Sequence, residues 1–345
     1  MNLFHNNKLF HGYQKRQFRW LSICIVLSLL VIILMSASML IGNTYYSPST
    51  IFRVLCGEQI SGATFAILTL RLPRTLAGFF CGAAFGLAGY IFQSLLRNPL
   101  ASPDIIGVSS ATSTAAVFCT LILGFTGNTV SIISVLSGIL VAILIYLLSY
   151  SKGSFSQGKM ILIGIGIQAI TRALTNYMLT KAAEFDVQST MRWLNGSLNS
   201  IKLGDITVLA VIVFGIGALL LFFSSSLEII RLGEEKALTL GINLKLFYSL
   251  SIVCAVILVA FSTAISGPIA SVAFLSGPIA TRLCGHNRCG LLPSALVGAV
   301  LVLSSDLIGQ NLFPVRYPVG VITGILGAPY LIYLLIKMNQ KGRRT

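Results

Sequence analysis

The sequence predicts an all-α, polytopic membrane protein with about ten transmembrane helices. Three observations predict this fold class. Hydrophobic residues make up 55% of the 345 residues and charged residues only 10%, with a mean hydropathy of +0.89. A soluble domain carries about 25% charged residues, so a soluble globule is excluded. The apolar residues fall into runs of bilayer length, which takes ~20 residues of helix. Polar residues fill short gaps between the runs and leave no room for a soluble catalytic domain.

The chain reads as one domain over 1–345. Residues 1–20 form a basic tail with Lys8, Lys15, Arg16 and Arg19. The apolar run after it, Leu21 to Ile41, exceeds the ~7–15-residue core of a secretory signal. It is expected to be a retained first span with a cytoplasmic N-terminus. The other spans are expected at 74–96, 105–124, 129–150, 159–180, 205–226, 246–265, 268–284, 293–310 and 318–337. Ten crossings place the C-terminus on the cytoplasmic side as well. Thr75 to Leu96 carries Gly78, Gly82, Gly86 and Gly89 with Ala83 and Ala84. Small residues at that spacing let helix backbones approach closely, so this span belongs inside the bundle. Span 268–284 is interrupted by Pro268 and Pro278, which is tolerated where a helix is buried in protein or lines a cavity.

The net charge is +15, but the basic residues sit at loop ends rather than on one face. Of the 24 Lys and Arg residues, 16 fall on segments expected inside, as membrane orientation requires. Nucleic acid is therefore not an expected partner. Arg53, Arg71, Arg74, Lys181, Arg192, Lys202 and Arg316 fall outside, and Arg172 lies within a span.

Catalytic and metal sites are not expected. No phosphate-binding glycine loop occurs, and the three histidines are His5, His11 and His286. Cys24, Cys81, Cys119 and Cys254 lie in apolar spans, and Cys56 stands in a loop. Cys284 and Cys289 flank His286 but lack paired metal spacing, and read as ordinary loop cysteines. Asp306 is the carboxylate nearest a span interior. It reads as a structural cap or partner of Arg316 rather than a proton carrier. An ion-coupled carrier would need buried charges that are not found.

Two loops stand out. In 227–246, Leu232, Ala237, Leu238 and Leu240 alternate with charges at helical spacing, and Gly233 and Gly241 break the pattern. Two short amphipathic helices are expected, lying on lipid or docking a soluble partner. Their balanced charge disfavours anionic lipid. Arg71 and Arg74 flank Leu72-Pro73, either anchoring span two or gripping carboxylates on a partner.

Several strings, in order, resemble the iron-siderophore/cobalamin (FecCD-type) permease family of ABC importers. They are Arg71-Leu72-Pro73-Arg74, Gln93 to Ala101, Pro103 to Val108, Leu232-Gly233-Glu234 through Leu240-Gly241, Gly267-Pro268-Ile269, and Pro318 to Val321 through Gly327-Ala328-Pro329. Gly196 to Asn199, Gln310 to Phe313 and the ending from Tyr330 are most similar to the second permease subunit of ferric-enterobactin importers. The resemblance implies the type II ABC importer architecture in the bacterial inner membrane. It implies two copies of an ATPase subunit, a homologous permease as heterodimer partner, and a periplasmic siderophore-binding protein. ATP and Mg would sit on the ATPases, with no cofactor or catalytic residue here.

By the same resemblance, 227–245 is the cytoplasmic coupling loop. Leu232, Gly233, Glu234, Ala237, Leu240, Gly241 and Asn243 would dock the ATPase. Arg71, Arg74 and Arg316 would meet the binding protein. The translocation path would be polar, with Gln93, Gln168 and Asn176 as candidates beside Thr171 and Thr175. The cargo implied is a ferric siderophore of catecholate type; haem or cobalamin import is the alternative within the family. The chain departs from the family in lacking a histidine in Gly277-Pro278-Ile279-Ala280-Thr281-Arg282. It also has Gln310 where many members have arginine, with Arg316 nearby in sequence as the candidate replacement.

Overall fold

The computed structural model describes residues 3–151, 154–199, 201–285 and 290–342. Fourteen α-helices follow in order: α1 (Leu3–Leu40), α2 (Pro48–Leu55), α3 (Leu72–Leu95), α4 (Val108–Leu121), α5 (Asn128–Ser149), α6 (Gln157–Lys181), α7 (Glu184–Leu194), α8 (Leu203–Phe222), α9 (Ser224–Arg231), α10 (Glu234–Thr239), α11 (Leu244–Ser266), α12 (Val272–Cys284), α13 (Leu291–Asn311) and α14 (Val319–Gly342). A two-residue antiparallel pairing, Tyr150–Ser151 with Ser154–Phe155, joins α5 to α6. Ten of the helices stand at the ten expected spans: α1, α3 to α6, α8 and α11 to α14.

Three differences from the expected spans have local causes. The basic tail is helical from Leu3 and continuous with the first span, because its Lys, Arg, Gln and Leu residues favour helix. Span two begins earlier, at Phe65, through a π-helical stretch Phe65–Arg71 that passes directly into α3. Span three is shorter than expected: a 3-10 turn, Pro103–Ile106, leads through left-handed Gly107 into α4. The periodic apolar pattern reports which residues avoid water, and not which of them are helical.

Among the described residues, six helical stretches are long and apolar enough to cross a membrane by length and composition alone: 14–40, 65–95, 128–149, 203–222, 244–266 and 291–311. α4, α12 and α14 are apolar but shorter over the qualifying stretch. α6 spans a similar length, yet carries Gln168, Thr171, Arg172, Thr175 and Asn176. Its polarity anticipates a role other than facing lipid. α5 and α8 are the reverse case, exposing Ile132, Leu136, Leu140, Val211 and Phe214 on their outer faces.

α3 forms the centre of the bundle, and every residue from Phe80 to Leu95 is buried or half-buried. It packs against α13, α12, α11 and α1. Its glycines set the contact distances. A Cβ on Gly82 would lie 2.5 Å from the Gly298 carbonyl oxygen on α13. A Cβ on Gly86 would strike the Ser294 carbonyl, and one on Gly89 the Ala273 carbonyl on α12. These obstacles are backbone, so they cannot rotate away. Polar links run along the same seams. The Ser294 hydroxyl donates to the Gly86 carbonyl at 3.0 Å, and the Gly290 amide donates to the Tyr90 hydroxyl at 2.9 Å. Thr75 donates to Ser38 on α1 at 2.9 Å.

Overpacking a tight core costs about 1–3 kcal/mol or more, whereas Gly to Ala in an open helix gains about 0.5–1 kcal/mol. Gly89→Ala should therefore lower the melting temperature of the detergent-solubilised protein. Gly166→Ala, whose Cβ meets open space, should leave it unchanged or raise it.

Candidate functional site

Helix alternation divides the loops between two ends of the bundle. One end carries α9, α10 and the α3–α4 connection. The other carries α2, α7 and the turns around Asn43, Asn199 and Arg316.

At the first end, α9 is anchored by Leu227 and Ile230, both fully buried. α10 is anchored by Ala237, also fully buried. Leu232, Leu238 and Leu240 point outward at 58–65% exposure. These leucines leave apolar surface exposed beyond the membrane-length segments, as contact with lipid or with another protein requires. Gly233 and Gly241 bound α10, and Gly241 (φ +80°) adopts a conformation that L side chains rarely take. The Asn243 side chain caps α11, accepting from the Leu246 amide at 3.1 Å.

Glu234 turns toward the bundle. Its Oε1 lies 3.0 Å from Arg97 Nη2 and accepts from the Tyr248 hydroxyl at 3.2 Å. Arg97 follows the C-terminus of α3 with φ +47°, unusual for a residue with a side chain. The ion pair thus connects the exposed loop to the end of the central helix. Gln157 at the start of α6 donates to the Leu95 carbonyl at 3.1 Å and joins a third helix to the same point.

At the opposite end, the arginines are occupied internally. Arg71 Nη1 donates to the Met39 carbonyl at 2.7 Å and the Leu40 carbonyl at 3.1 Å, and Nη2 bonds to the Thr44 carbonyl. Arg71 thereby caps the C-terminus of α1. Arg74 makes a bidentate pair with Asp306, 2.9 Å from Nε to Oδ2 and 2.7 Å from Nη2 to Oδ1, and also reaches Asn199. Asp306 therefore pairs with Arg74 rather than Arg316, because α3 and α13 lie side by side. Gln310 donates to the same carboxylate at 2.6 Å, and Arg316 reaches Asn43 instead. Arg71, Arg74, Arg316, Asn199 and Gln310 line a polar recess of about 300 Å³. Nearby, hydrogen bonding from Arg53 holds the Glu58 carboxyl below its usual range.

A cavity of about 420 Å³ lies between α4, α6, the Pro103–Ile106 turn and the Pro268–Ser271 segment. Gln168 and Asn176 line it, with Arg172 between them, facing Asp104, Ser109 and Ser113. Thr171 donates to Ser110 at 3.0 Å and Thr175 bonds to Thr114 at 2.9 Å, holding α6 against α4. Gln168 donates to the Asp104 carbonyl at 3.3 Å. Ser113 Oγ is buried without a hydrogen-bond partner among the described residues. Gln93 is elsewhere: its amide donates to the Phe274 carbonyl at 3.0 Å, joining α3 to α12. Among the described residues no three His, Cys, Asp or Glu side chains form a metal-sized group. His286 and Cys289 lie outside the described residues.

The model of the FecCD transport family matches residues 29–337, nearly the whole bundle. The chain belongs to the FecCD transport family. This FecCD chain is 35% identical to the ferric enterobactin transport system permease protein FepG of Escherichia coli (strain K12), over 87% of this chain and 91% of that one. It is 34% identical to the Fe(3+)-citrate import system permease protein YfmE of Bacillus subtilis (strain 168), over 93% and 96%. A solved inward-facing metal-chelate type ABC transporter superposes with a TM-score of 0.80 at 28% identity, covering 92% of this chain and 99% of that one.

Three features of this FecCD permease escaped sequence reading: the Arg97–Glu234 tie, the Arg74–Asp306 pair and the Asp104 side of the cavity. All join residues distant in the chain. Arg172, an arginine inside a span, was the sequence signal for the cavity.

Two outcomes test these contacts. Exposed ion pairs stabilise by about 0.2–1 kcal/mol, so Glu234→Arg should scarcely change melting. It should slow transport severalfold, and adding Arg97→Glu should restore the rate. Arg74→Leu should destabilise the chain by about 3–5 kcal/mol, because Asp306, 3% exposed, loses its compensating charge. Adding Asp306→Leu should recover much of that loss in thermal melts.

Proposed function

We propose that this chain is the permease subunit of an ATP-driven importer that carries ferric siderophore, of catecholate type, from the periplasm into the cytoplasm. The observation that carries the reading is the exposed leucine patch on α9–α10, mechanically joined through Glu234 and Arg97 to the end of α3. A pump needs such a joint between a soluble motor and its membrane helices. The relatives that transport ferric enterobactin and ferric citrate support the cargo class.

In this reading the α10 end is cytoplasmic, as are both termini. Two ATPase copies dock at this loop and at its equivalent on a homologous permease. Leu232, Gly233, Glu234, Ala237, Leu240, Gly241 and Asn243 form or shape the docking surface. Ala237 sits beneath the patch and Glu234 faces inward, so their part is to fix the loop's position. ATP binding moves the loop, Arg97 passes the displacement to the α3–α4 connection, and the helices shift between two packings. A binding protein docks at the opposite end. Arg316 at the recess rim is the most available of the three arginines there. Arg71 and Arg74 shape that surface through the turns they hold. This chain positions and moves cargo, while hydrolysis belongs to the ATPases.

The test is uptake of radiolabelled iron as ferric catecholate, ferric hydroxamate and haem in cells lacking the chain and in cells with it restored. Loss confined to the catecholate is expected. Normal uptake of all three without the chain would sink the iron reading and leave cobalamin to be tested. Leu238→Asp and Gly241→Leu should each reduce ATP-dependent uptake at least about tenfold at unchanged membrane abundance, since a buried charge or a strained backbone at an interface costs more than ~1.4 kcal/mol.

A further inference from the structure

We infer that Arg172 is an anion-binding station in the permeation path, and that the cargo passing it is a negatively charged ferric chelate. The inference rests on the import reading above.

Arg172 is the 16th of the 25 residues of α6. At ~1.5 Å per residue it stands about 22 Å from the start of the helix and about 14 Å from its end. A guanidinium at that depth is costly against hydrocarbon, so such residues face cavities and carry function. Arg172 lines the 420 Å³ cavity, with Gln168 one turn before it and Asn176 one turn after it.

Its donors are uncommitted. Arg172 has no hydrogen bond or ion pair with any described residue, and its electrostatic partner is Asp104. The Asp104 carboxylate is held by its own turn and by the first turn of α4. Oδ1 accepts from Ser109 at 2.7 Å and Oδ2 from Ser102 at 3.2 Å. The guanidinium therefore keeps its five N–H donors for a visitor. The rest of the polar lining is neutral: the amides of Gln168 and Asn176 and hydroxyls of serines and threonines, Ser110 and Ser113 among them.

This arrangement suits passage rather than capture. Asp104 lowers the cost of holding a cation within the bilayer between cargoes. It also subtracts from the attraction felt by an incoming anion, so the anion can leave. The chemistry selects by charge. A ferric tris-catecholate is an anion with a shell of oxygen acceptors, which charge-assisted N–H donors recognise. An uncharged ferric hydroxamate gains hydrogen bonds there but no net Coulomb attraction. A passing, variably oriented anion responds to charge more than to fork geometry, so lysine should serve in place of arginine.

The experiment complements cells lacking the chain with wild type, Arg172→Lys, Arg172→Gln and Arg172→Glu. Uptake of radiolabelled iron as the tris-catecholate is normalised to the amount of chain in the membrane. Gln loses the charge-assisted hydrogen bonds to the cargo, so it should transport at least about tenfold more slowly than wild type. Lys should stay within about twofold of wild type, and Glu should be slowest. Wild-type rates for Gln, or a Lys variant as slow as Gln, would overturn the station. So would loss of the Gln variant from the membrane, because that would make Arg172 a structural residue. Import confined to an uncharged hydroxamate would overturn the cargo charge. Failure of the import reading itself would look different: wild type would restore uptake of no ferric chelate.

Discussion

Backbone contact between α3 and its neighbours is the constraint on which the rest of this structure depends. Within a bilayer, burying an apolar side chain against another helix gains little over burying it against lipid. Association therefore rests on close packing and interhelical hydrogen bonds. Gly82, Gly86 and Gly89 bring α3 against the carbonyls of Gly298, Ser294 and Ala273, where no side chain would fit. The contact places α13 and α12 on one side of α3 at fixed height. That height determines which distant residues meet: Arg74 with Asp306 at one end, Tyr90 with Gly290 near the other.

A rigid centre also explains where movement is available. α3 and α13 share a long, tight seam with hydrogen bonds along it. α6 contacts the bundle chiefly through α4, α5 and the turn at Pro103–Ile106. Its links are hydroxyl pairs such as Thr114 with Thr175, which can exchange partners at modest cost. The polar cavity opens along this looser side, and the exposed loop at α9–α10 reaches the end of α3 through the Arg97–Glu234 pair and the packing of α9 on α3. A firm axis and a softer polar wall are consistent with the shift between two helix packings proposed above.

Helices stand at the ten expected positions, and the six that are long and apolar enough to cross a membrane were legible because a bilayer imposes length and hydropathy on each crossing. The glycines of α3 announced a buried helix for the same reason. The amphipathic pattern of 227–246 announced two short helices, and α9 and α10 are found there. Helix boundaries were less legible. The π-helical Phe65–Arg71 and the turn Pro103–Ile106 are held by tertiary contacts, and apolar sequence reads alike in either geometry.

The roles of polar residues divided most sharply. Sequence alone determined that this is a membrane permease of one family, since composition, span pattern and ordered motifs all survive without coordinates. It could also flag Arg172, because a charge within a span is exceptional. Only the tertiary structure decided which polar groups are spent on the fold and which remain available. Gln93 is committed to the backbone of α12 and Arg74 to Asp306, whereas Arg172 and Asn176 line a cavity beside Gln168, which is itself bonded to the Asp104 carbonyl. The reason is physical: a buried hydrogen-bonding group takes a partner wherever packing supplies one, and packing joins helices hundreds of residues apart.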